Sequence, residues 1–461
     1  MRHLLIPRWM SATTITLVVA VACIGSTRSF SHDTAHADIR AASTIPAAAD
    51  ATQDAAIRRW VRYPPAPPGL SAQAELGRLL FFDTALSASR QMSCASCHSP
   101  DHAYGPPNGR AVQLGGPDLR HAGARAVPSL RYLDGTPQFS LHAYMPGSED
   151  AEYEGPTGGF TWDGAAASRQ QQAAVPLLNP DEMANADPAA VMAAMRRSAN
   201  ASAFIRVFGA DSLDDPATAL ADIGAALAAF QTEDPSFHPY TSKFDAVMSG
   251  HARFTPQELH GYALFNDPRK GNCASCHIDR PGPGGRPAAF TDYGYAALGV
   301  PRNPAIPANR DPRYYDMGLC GPYRHDLAGQ APYCGMFKTP TLRNTAARQV
   351  FFHNGYFHTL SEALHFYVER DTDPRKWYPA AHGKPIAYDD LPPRYRGNVD
   401  RSDPPMDRAK GDRPALDALE IDDMTAFLET LDDGYSASAG GPPGYAAGAA
   451  ADGSREGSGR K

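Results

Sequence analysis

Long apolar runs are scarce in this chain of 461 residues. Only the stretch 11–25 is predominantly apolar, and it is too short and too soon ended to predict a membrane span. Basic residues are also in deficit, because 43 Lys and Arg stand against 50 Asp and Glu and the net charge is −7. This balance argues against a nucleic-acid partner and favours a neutral or basic one.

The apolar stretch is typical of an export signal. Arg2 and Arg8 give the chain a basic start, and Ala-His-Ala at 35–37 is an A-x-A cleavage site. We therefore expect a signal peptide at 1–37 and a periplasmic protein. Cys23 weakly resembles a lipoprotein attachment site, which leaves a lipid anchor as the less favoured alternative.

Cysteine is scarce too, with seven residues, and four of them belong to a pentapeptide that occurs twice. The two copies are Cys94-Ala-Ser-Cys97-His98 and Cys273-Ala-Ser-Cys276-His277. C-x-x-C-H is the attachment signature of c-type haem, in which both thiols bond the porphyrin and the histidine binds iron. Two copies predict two covalently bound haem c groups. A zinc site or a thiol-redox pair is the alternative, although no further zinc ligands are suitably spaced near either copy.

Cys320 and Cys334 remain once Cys23 and the four haem thiols are set aside. In an oxidising compartment such a pair usually closes a disulfide, which stabilises a loop of this size by roughly 3 kcal/mol. A redox-active pair is the alternative.

Each C-x-x-C-H copy follows a segment with apolar residues at helical spacing. Residues 72–82 lead to Asp83 and the first copy, and residues 259–267 lead to the second in the same way. This repeat predicts a mainly α protein with two cytochrome-c-like haem domains and long irregular loops. Further helices are predicted at 188–208, 216–230, 360–369 and 415–431, with loops at 99–160 and 278–345.

The repeat and the local composition also set the domain boundaries. Beyond residue 434 the chain consists of Gly, Ala and Ser with scattered charge, which predicts disorder. The predicted units are the signal peptide at 1–37, a flexible segment at 38–63, an N-terminal haem domain at 64–238, a C-terminal haem domain at 239–435 and a disordered tail at 436–461.

Six stretches of the chain carry a family resemblance. They are LLFFDTALSASRQMSCASCH, FTWDG, LLNPDEM, LFNDPRKGNCASCH, FKTPTLRNTA and FFHNGYFHTLSEALHFY, and their order and spacing match the family. The region from about Leu76 to Tyr435 resembles the bacterial di-haem cytochrome c peroxidase family and its MauG-like branch. The resemblance implies an oxidoreductase that reduces hydrogen peroxide at the first haem with electrons relayed through the second.

The resemblance implies roles for three residues around the first haem, whose iron His98 would bind. Glu182, in the N-P-x-E-M stretch, would be the catalytic acid and base, and the plain alternative is a charge in the first turn of a helix. Trp162 would relay electrons between the haems, and its alternative is an ordinary packed aromatic residue. Pro176 would line the distal pocket.

The resemblance makes the second axial ligand of the second haem diagnostic. Ordinary members place a methionine fourteen residues after the histidine of the x-F-H-x-G stretch, and counting from His353 gives Tyr367. MauG-like members carry tyrosine there, and a phenolate oxygen stabilises ferric and higher oxidation states. No methionine lies between Met336 and Met406 as a substitute. His365 is a poorer candidate because it faces another side of the helix, and a merely packed Tyr367 is the remaining alternative.

Three departures from the family pattern leave points open. His121 is the nearest candidate for the loop histidine that blocks the resting first haem in ordinary members, but its loop does not align, and we expect an open first haem. The interdomain calcium of the family uses an asparagine that is missing from 125–129, which puts the calcium in doubt. Residues 318–335 form an insertion that short members lack.

Two kinds of reductant fit the resemblance. A small electron-transfer protein would make the chain an ordinary peroxidase, whereas a dedicated partner protein with oxidisable side chains, such as tryptophan, would make it a MauG-like enzyme. Tyr367 favours the second, and the abundance of simple peroxidases in the family favours the first. A non-enzymatic electron carrier with both irons sealed is the alternative of a different class. The family is often dimeric, so a homodimer is a further option.

Overall fold

The computed structural model describes residues 61–64, 69–141 and 155–436, together with the backbone of 143–144 and 152–153. The predicted signal peptide, most of the predicted flexible segment and all but the first residue of the predicted tail lie outside the described residues. Within the described ranges, no helix combines the length and apolar character that crossing a bilayer requires.

Helices supply most of the regular structure in these ranges, which confirms the prediction of a mainly α protein. The helices are α1 (Ala72–Phe81), α2 (Cys94–Cys97), α3 (Arg169–Leu178), α4 (Pro188–Arg197), α5 (Ala201–Phe208), α6 (Pro216–Glu233), α7 (Lys243–Met248), α8 (Pro256–Asn266), α9 (Leu360–Glu369) and α10 (Ala418–Glu429). The strands are β1 (Leu114–Gly115), β2 (His121–Ala122), β3 (Ala143–Tyr144), β4 (Glu152–Tyr153), β5 (Tyr295–Ala296), β6 (Phe337–Lys338), β7 (Ala380–Ala381) and β8 (Lys384–Pro385). They form four antiparallel pairs of consecutive strands.

Helix α1 packs against α6 and carries the chain to the first C-x-x-C-H copy. It begins where the Ser71 hydroxyl accepts the N–H of Ala74 at 3.1 Å, a standard N-terminal cap. The two helices cross at Gly77, where a Cβ atom would collide with the carbonyl of Ala226 in α6. The missing side chain therefore sets how closely the helices approach.

Helices α8 and α10 repeat this arrangement before the second copy. Thr255 caps α8, with its hydroxyl accepting the N–H of Glu258 at 3.2 Å. The crossing point is Gly261, where a Cβ atom would collide with the carbonyl of Asp423 in α10. In both halves, the helix that leads to the C-x-x-C-H copy therefore packs closely against a second helix.

The prediction of one continuous helix at 188–208 is wrong, because this segment forms two helices, α4 and α5, with a break at 198–200. The side chains of Ser198 and Asn200 both donate to the Asp83 carboxylate, the latter at 2.9 Å. Side-chain hydrogen bonds of this kind compete with helical backbone bonds. Asp83 lies between α1 and the first C-x-x-C-H copy. The break between α4 and α5 is therefore hydrogen-bonded to the segment that leads to this motif.

The two largest hydrophobic clusters among the described residues form separate cores, beside two smaller clusters. The buried members of the first run from Leu76 to Phe237, and those of the second run from Phe244 to Leu431. The predicted boundary between the haem domains, at 238/239, falls between the two clusters. The two-domain organisation remains a prediction that this distribution supports.

We expect Gly261→Ala to destabilise the protein, because the new methyl group forces α8 and α10 apart. Overpacking of this kind typically costs about 1–3 kcal/mol, which would lower the thermal unfolding midpoint of the haem-loaded protein. Gly397→Ala is the matched control, since Gly397 is an exposed helical glycine with no atom within 4 Å of an added Cβ. The control should leave the midpoint unchanged or raise it slightly. Equal midpoints for the two variants would contradict the close helix crossing.

Candidate active site

A cavity with a volume of about 1670 Å³ lies among the described residues. Its wall includes Cys97, His98, Trp162, Pro176, Glu182, Cys273, Cys276, His277 and Tyr367. Small-molecule sites usually occupy about 300–1,000 Å³, so this space suits more than one large ligand. Cys94, the remaining predicted haem thiol, packs against the first core cluster beside these residues.

His98 and His277 are oriented for metal binding in the same way. Nδ1 of His98 lies 3.0 Å from the carbonyl oxygen of Tyr104, and Nδ1 of His277 lies 3.0 Å from that of Phe290. A carbonyl oxygen can only accept, so Nδ1 carries the proton and Nε2 keeps its lone pair for a metal. Burial lowers the pKa of both imidazoles to about 4, which leaves them neutral at pH 7.

The two carbonyls that hold the histidines belong to loops with matching geometry. Tyr104 and Phe290 have φ angles of 53° and 52°, in the left-handed region. The N–H of Leu130 donates to the Tyr104 carbonyl at 3.2 Å, and the N–H of Leu342 donates to the Phe290 carbonyl at 3.3 Å. The repeated motif is therefore accompanied by a repeated support for its histidine.

The four motif cysteines are half-buried, and loss of solvent around their thiols raises the pKa values. The pKa rises to about 12 for Cys94, Cys97 and Cys273 and to about 11 for Cys276. Reactive dithiols instead have lowered pKa values that populate the thiolate. The environment therefore disfavours the thiol-redox alternative and is compatible with thiols that serve as attachment points.

Two half-buried basic side chains on the cavity wall, Arg348 and Lys338, also suit haem. Arg348 donates to the carbonyl of Val127 at 3.0 Å, and the Lys338 ammonium donates to the carbonyl of Gly159 at 2.6 Å. Within the described ranges neither forms an ion pair with a carboxylate, and burial lowers the pKa of Arg348 to about 10 and that of Lys338 to about 8. Haem propionates are anionic and would balance such charges. The donor set, the volume and the charge of the wall therefore fit two haems.

Glu182 lies in a turn that closes the C-terminal end of α3. The carbonyl of Pro176 accepts the N–H of Met183 at 3.1 Å, and the Asn179 side chain donates to Glu182 Oε1 at 2.8 Å. No hydrogen bond to Oε2 occurs in the part of the chain that the structure describes, so this oxygen can meet a ligand. The interpretation of Glu182 as a charge in the first turn of a helix is wrong, because the next helix begins only at Pro188.

The surroundings of Glu182 shift the pKa of its carboxyl group towards neutral pH. Burial raises the pKa of Glu182 to about 7, although the hydrogen bond from Asn179 opposes this shift. The charge of Glu182 in turn contributes to the raised pKa of Cys97, after burial, which places the carboxylate on the side of the first motif. A carboxyl group with a pKa near the working pH can both accept and return a proton.

His121, the candidate blocking residue, lies at the surface on β2. Its Nδ1 is 3.5 Å from an Asp181 carboxylate oxygen and its Nε2 is 3.8 Å from one of Asp118. The side chain is 44% exposed and is not part of the cavity wall. In this arrangement the His121 side chain lies outside the cavity that Glu182 lines.

Trp162 reaches the cavity from a tight loop. Its indole Nε1 donates to the carbonyl of Ala126 at 2.8 Å, and its own carbonyl accepts the N–H of Lys338 in β6 at 2.9 Å. The preceding Thr161 has a φ of 72°, an unusual angle for a β-branched residue. The half-buried indole thus lies on the wall of a cavity shared by both haem motifs, held by contacts to both halves of the sequence.

Tyr367 reaches the same cavity from α9. Burial raises the pKa of its hydroxyl well beyond its usual range, with further contributions from Cys276 and Cys273, so the phenol faces the second motif. His365, the poorer ligand candidate, instead pairs with Glu369 at 3.2 Å between Nδ1 and Oε1 and does not reach the cavity.

Met406 is a cavity residue that the spacing argument missed. It is buried, it lines the cavity with Tyr367, and its Sδ accepts a hydrogen bond from Arg370 Nη1 at 3.2 Å. Arg370 lies about one helical turn beyond Tyr367, so a thioether sulfur and a phenol share this part of the wall. The segment that carries Met406 has no helical periodicity, so the sequence offered no signal for its position.

Both remaining departures from the family pattern fall beside this cavity. Cys320 and Cys334 form a disulfide with their Cα atoms 4.9 Å apart, and the loop is closed at its base by the N–H of Gly335 donating to the Met317 carbonyl at 2.9 Å. Arg125, from the stretch that lacks the calcium asparagine, lies on the cavity wall. Within the described residues, no group of three or more His, Cys, Asp and Glu side chains is placed to hold a metal ion.

Comparison with known sequences identifies the class. The model of the di-haem cytochrome c peroxidase family matches residues 71–253. The methylamine utilization protein MauG of Paracoccus denitrificans is 38% identical over 309 residues, which are 66% of this chain and 76% of that protein. The chain belongs to the di-haem cytochrome c peroxidase family, and the prediction of a peroxidase-class oxidoreductase is confirmed. Membership implies two haem groups.

Relatives within the family carry more than one name. Cytochrome c551 peroxidase of Nitrosomonas europaea is 29% identical over 64% of this chain and 73% of that protein. The crystal structure of the diheme peroxidase BthA from Burkholderia thailandensis superimposes with a TM-score of 0.71 and 40% identity, covering 80% of this chain and 87% of BthA. The chain is therefore similar to proteins named as peroxidases and to proteins named MauG.

Proposed function

We propose that this chain reduces hydrogen peroxide beside His98 and Glu182, with electrons arriving from the side of His277 by way of Trp162. The bound haems supply the redox chemistry. The observation that carries the proposal is Glu182, a half-buried carboxyl group whose pKa is raised to about 7, on the wall of a cavity that both C-x-x-C-H copies share.

The residues that would hold the two haems follow from the motifs and from the cavity wall. Cys94 and Cys97 would form the thioethers of the first haem, and the second copy would do the same for the second haem. His98 and His277 would bind iron through Nε2, because their Nδ1 atoms are engaged with carbonyls. Tyr367 would be the second protein ligand of the second haem, while the face near Glu182 would stay open to peroxide.

Glu182 would move the proton that peroxide cleavage requires. Its Oε2 atom would take the proton from the near oxygen of peroxide and return it to the leaving oxygen, while Asn179 holds Oε1 in place. Acid/base assistance of this kind typically contributes ~10²–10⁴-fold to a rate. Pro176 would support this turn through its bond to Met183 and help to shape the wall.

A second candidate function is the oxidation of side chains on a partner protein. One observation favours it: a tyrosine lies in the position that we assign to the second haem ligand. Trp162 would serve both functions, because an indole can be oxidised more readily than aliphatic packing.

Mass spectrometry after peroxide treatment separates the two candidates. The haem-loaded protein is mixed with peroxide and either a small electron-transfer protein or the proteins that co-purify with it. Reduction of peroxide with an unmodified electron-transfer protein supports the ordinary peroxidase, whereas a stable oxygen gain or cross-link in a partner supports the second candidate. If neither mixture consumes peroxide, both candidates are rejected.

We also propose that the chain works in the periplasm. The predicted signal sequence lies outside the described residues, and the disulfide between Cys320 and Cys334 suits an oxidising compartment.

A further inference from the structure

Three buried charged residues next to Trp162 form a single ion network, which we call the Arg125 clamp. Arg125 Nη1 donates to the Asp163 carboxylate at 2.8 Å. On its other side, Nε and Nη2 of Arg125 donate to the two oxygens of Asp316 at 2.6 and 2.8 Å, the two-pronged geometry in which arginine binds carboxylates best. The clamp therefore consists of Arg125, Asp163 and Asp316.

The clamp runs parallel to the hydrogen bond that holds the indole. Arg125 directly precedes Ala126, whose carbonyl accepts the Trp162 N–H, and Asp163 directly follows Trp162. The ion pair and the indole bond therefore join the same two chain segments at neighbouring residues. Loss of the ion pair would remove one of the two links between these segments and leave the indole bond to Ala126 as the other.

Asp316 extends the clamp into the C-terminal half. Its Oδ1 atom also accepts the N–H of Gly318, at 3.1 Å, where the disulfide-closed loop begins. The N–H of Ala126 donates to the carbonyl of His353 at 2.7 Å, again across the two halves. The loop that carries Trp162 is thus fixed against both halves of the chain.

The side chains of the clamp are largely shielded from water, so solvent screens their charges only weakly. The exposed fractions of the side chains are 13% for Arg125, 1% for Asp163 and 7% for Asp316, and the ring of Tyr323 covers the guanidinium at 4.7 Å. Burial alone would raise the pKa of Asp163, but Arg125 and several hydrogen bonds outweigh it and hold that pKa below its ordinary value. Charges in such a setting are screened far less than charges at the surface.

We propose that Arg125 is a positioning residue for Trp162, and that the balance of charge in its clamp with Asp163 and Asp316 tunes the reduction potentials of the groups bound in the cavity. The positioning part rests on the proposed function of Trp162 as a relay, whereas the part on potentials does not.

Two variants of the haem-loaded full chain test this inference, because they break the same bridge with opposite changes of charge. Arg125→Gln removes a buried positive charge, and we expect the haem midpoint potentials, measured by spectroelectrochemistry, to fall. Asp316→Asn removes a buried negative charge, and we expect them to rise. Both variants should lower kcat for peroxide turnover by about tenfold to a hundredfold through a misplaced indole, with KM for peroxide unchanged.

Arg125→Lys and a remote ion pair supply the controls. Arg125→Lys keeps the positive charge but loses the two-pronged guanidinium contact with Asp316. We therefore expect kcat to fall while the haem midpoint potentials stay at the wild-type values. Lys243→Gln breaks the 2.7 Å pair with Glu258, which has similar burial and does not line the cavity, and it should not shift the potentials. If Arg125→Gln fails to retain haem, Arg125→Lys and Asp316→Asn still decide the matter.

Shifts of the same sign in Arg125→Gln and Asp316→Asn, or no shift in either, would overturn the role in tuning. An unchanged kcat in Arg125→Lys would overturn the positioning role. Trp162→Phe separates this inference from the proposed function: an unchanged kcat in that variant rejects the relay, while the potentials of the clamp variants still report on the charge effect.

Discussion

Glu182→Gln should lower kcat/KM for peroxide by about 10²–10⁴-fold while both haems remain bound. The amide has nearly the same shape as the carboxyl group, but it cannot accept the peroxide proton. Steady-state peroxide consumption measures the loss, and the haem absorbance per chain shows that the cofactors are retained. Asp181→Asn is the matched control, because it neutralises the adjacent carboxylate, which pairs with His121 at the surface. We expect less than a tenfold loss there, and equal losses in both variants would contradict the assignment.

The pH profile of the wild-type protein gives a second measure of the same residue. The folded-state pKa of Glu182 is about 7, so the group is a neutral acid below that pH and a carboxylate above it. Because the carboxylate is the form that accepts the proton, kcat/KM should rise with pH up to about 7 and level off above it. The inflection should disappear in Glu182→Gln. A wild-type profile that falls with increasing pH in this range would exclude Glu182 as the base.

Tyr367→Met should make the reaction with peroxide dependent on prior reduction by an electron donor. With the native tyrosine we expect the fully oxidised resting protein to react with peroxide directly, because a phenolate ligand stabilises high oxidation states. A thioether ligand raises the haem potential, so the variant should react only after an electron donor has been added. Stopped-flow absorbance with and without the donor measures this difference.

Met406 makes a control necessary for this experiment. Its sulfur lies on the same cavity wall and is held by Arg370, so it is a competing ligand candidate. Met406→Leu should leave direct reaction with peroxide intact if Tyr367 is the ligand. If direct reaction is absent from the wild-type protein and appears in Met406→Leu, the position belongs to the methionine instead.

The features that the sequence predicted well depend on short-range patterns. The C-x-x-C-H motifs and the helices before them follow from local patterns, whereas Tyr367 was implied by the family resemblance. The structure brings His98, His277 and Tyr367 to one cavity. Helix α9 coincides with the predicted 360–369 segment for the same reason.

The features that the sequence could not predict depend on contacts between distant residues. The break between α4 and α5 is made by Asp83, which lies more than a hundred positions earlier in the chain. The bridge from Arg125 to Asp316 joins residues 191 positions apart. Met406 lies on the cavity wall in an irregular segment, and the sequence of such a segment has no periodicity from which its position could be predicted. Each of these depends on tertiary packing, which overrides local preference.

The shared cavity bears on how the protein is assembled in the cell. Each hydrophobic core contributes part of its wall, Leu130 from the first and Leu364 from the second, so neither core is completed by polypeptide alone. Cys94, Cys97 and Cys273 are half-buried against the two cores. Under the proposed covalent attachment, thioether formation would therefore precede the last steps of folding. We therefore expect maturation to act on an open chain, and a chain carrying a single porphyrin to be left with one loosely packed half, which proteases can attack.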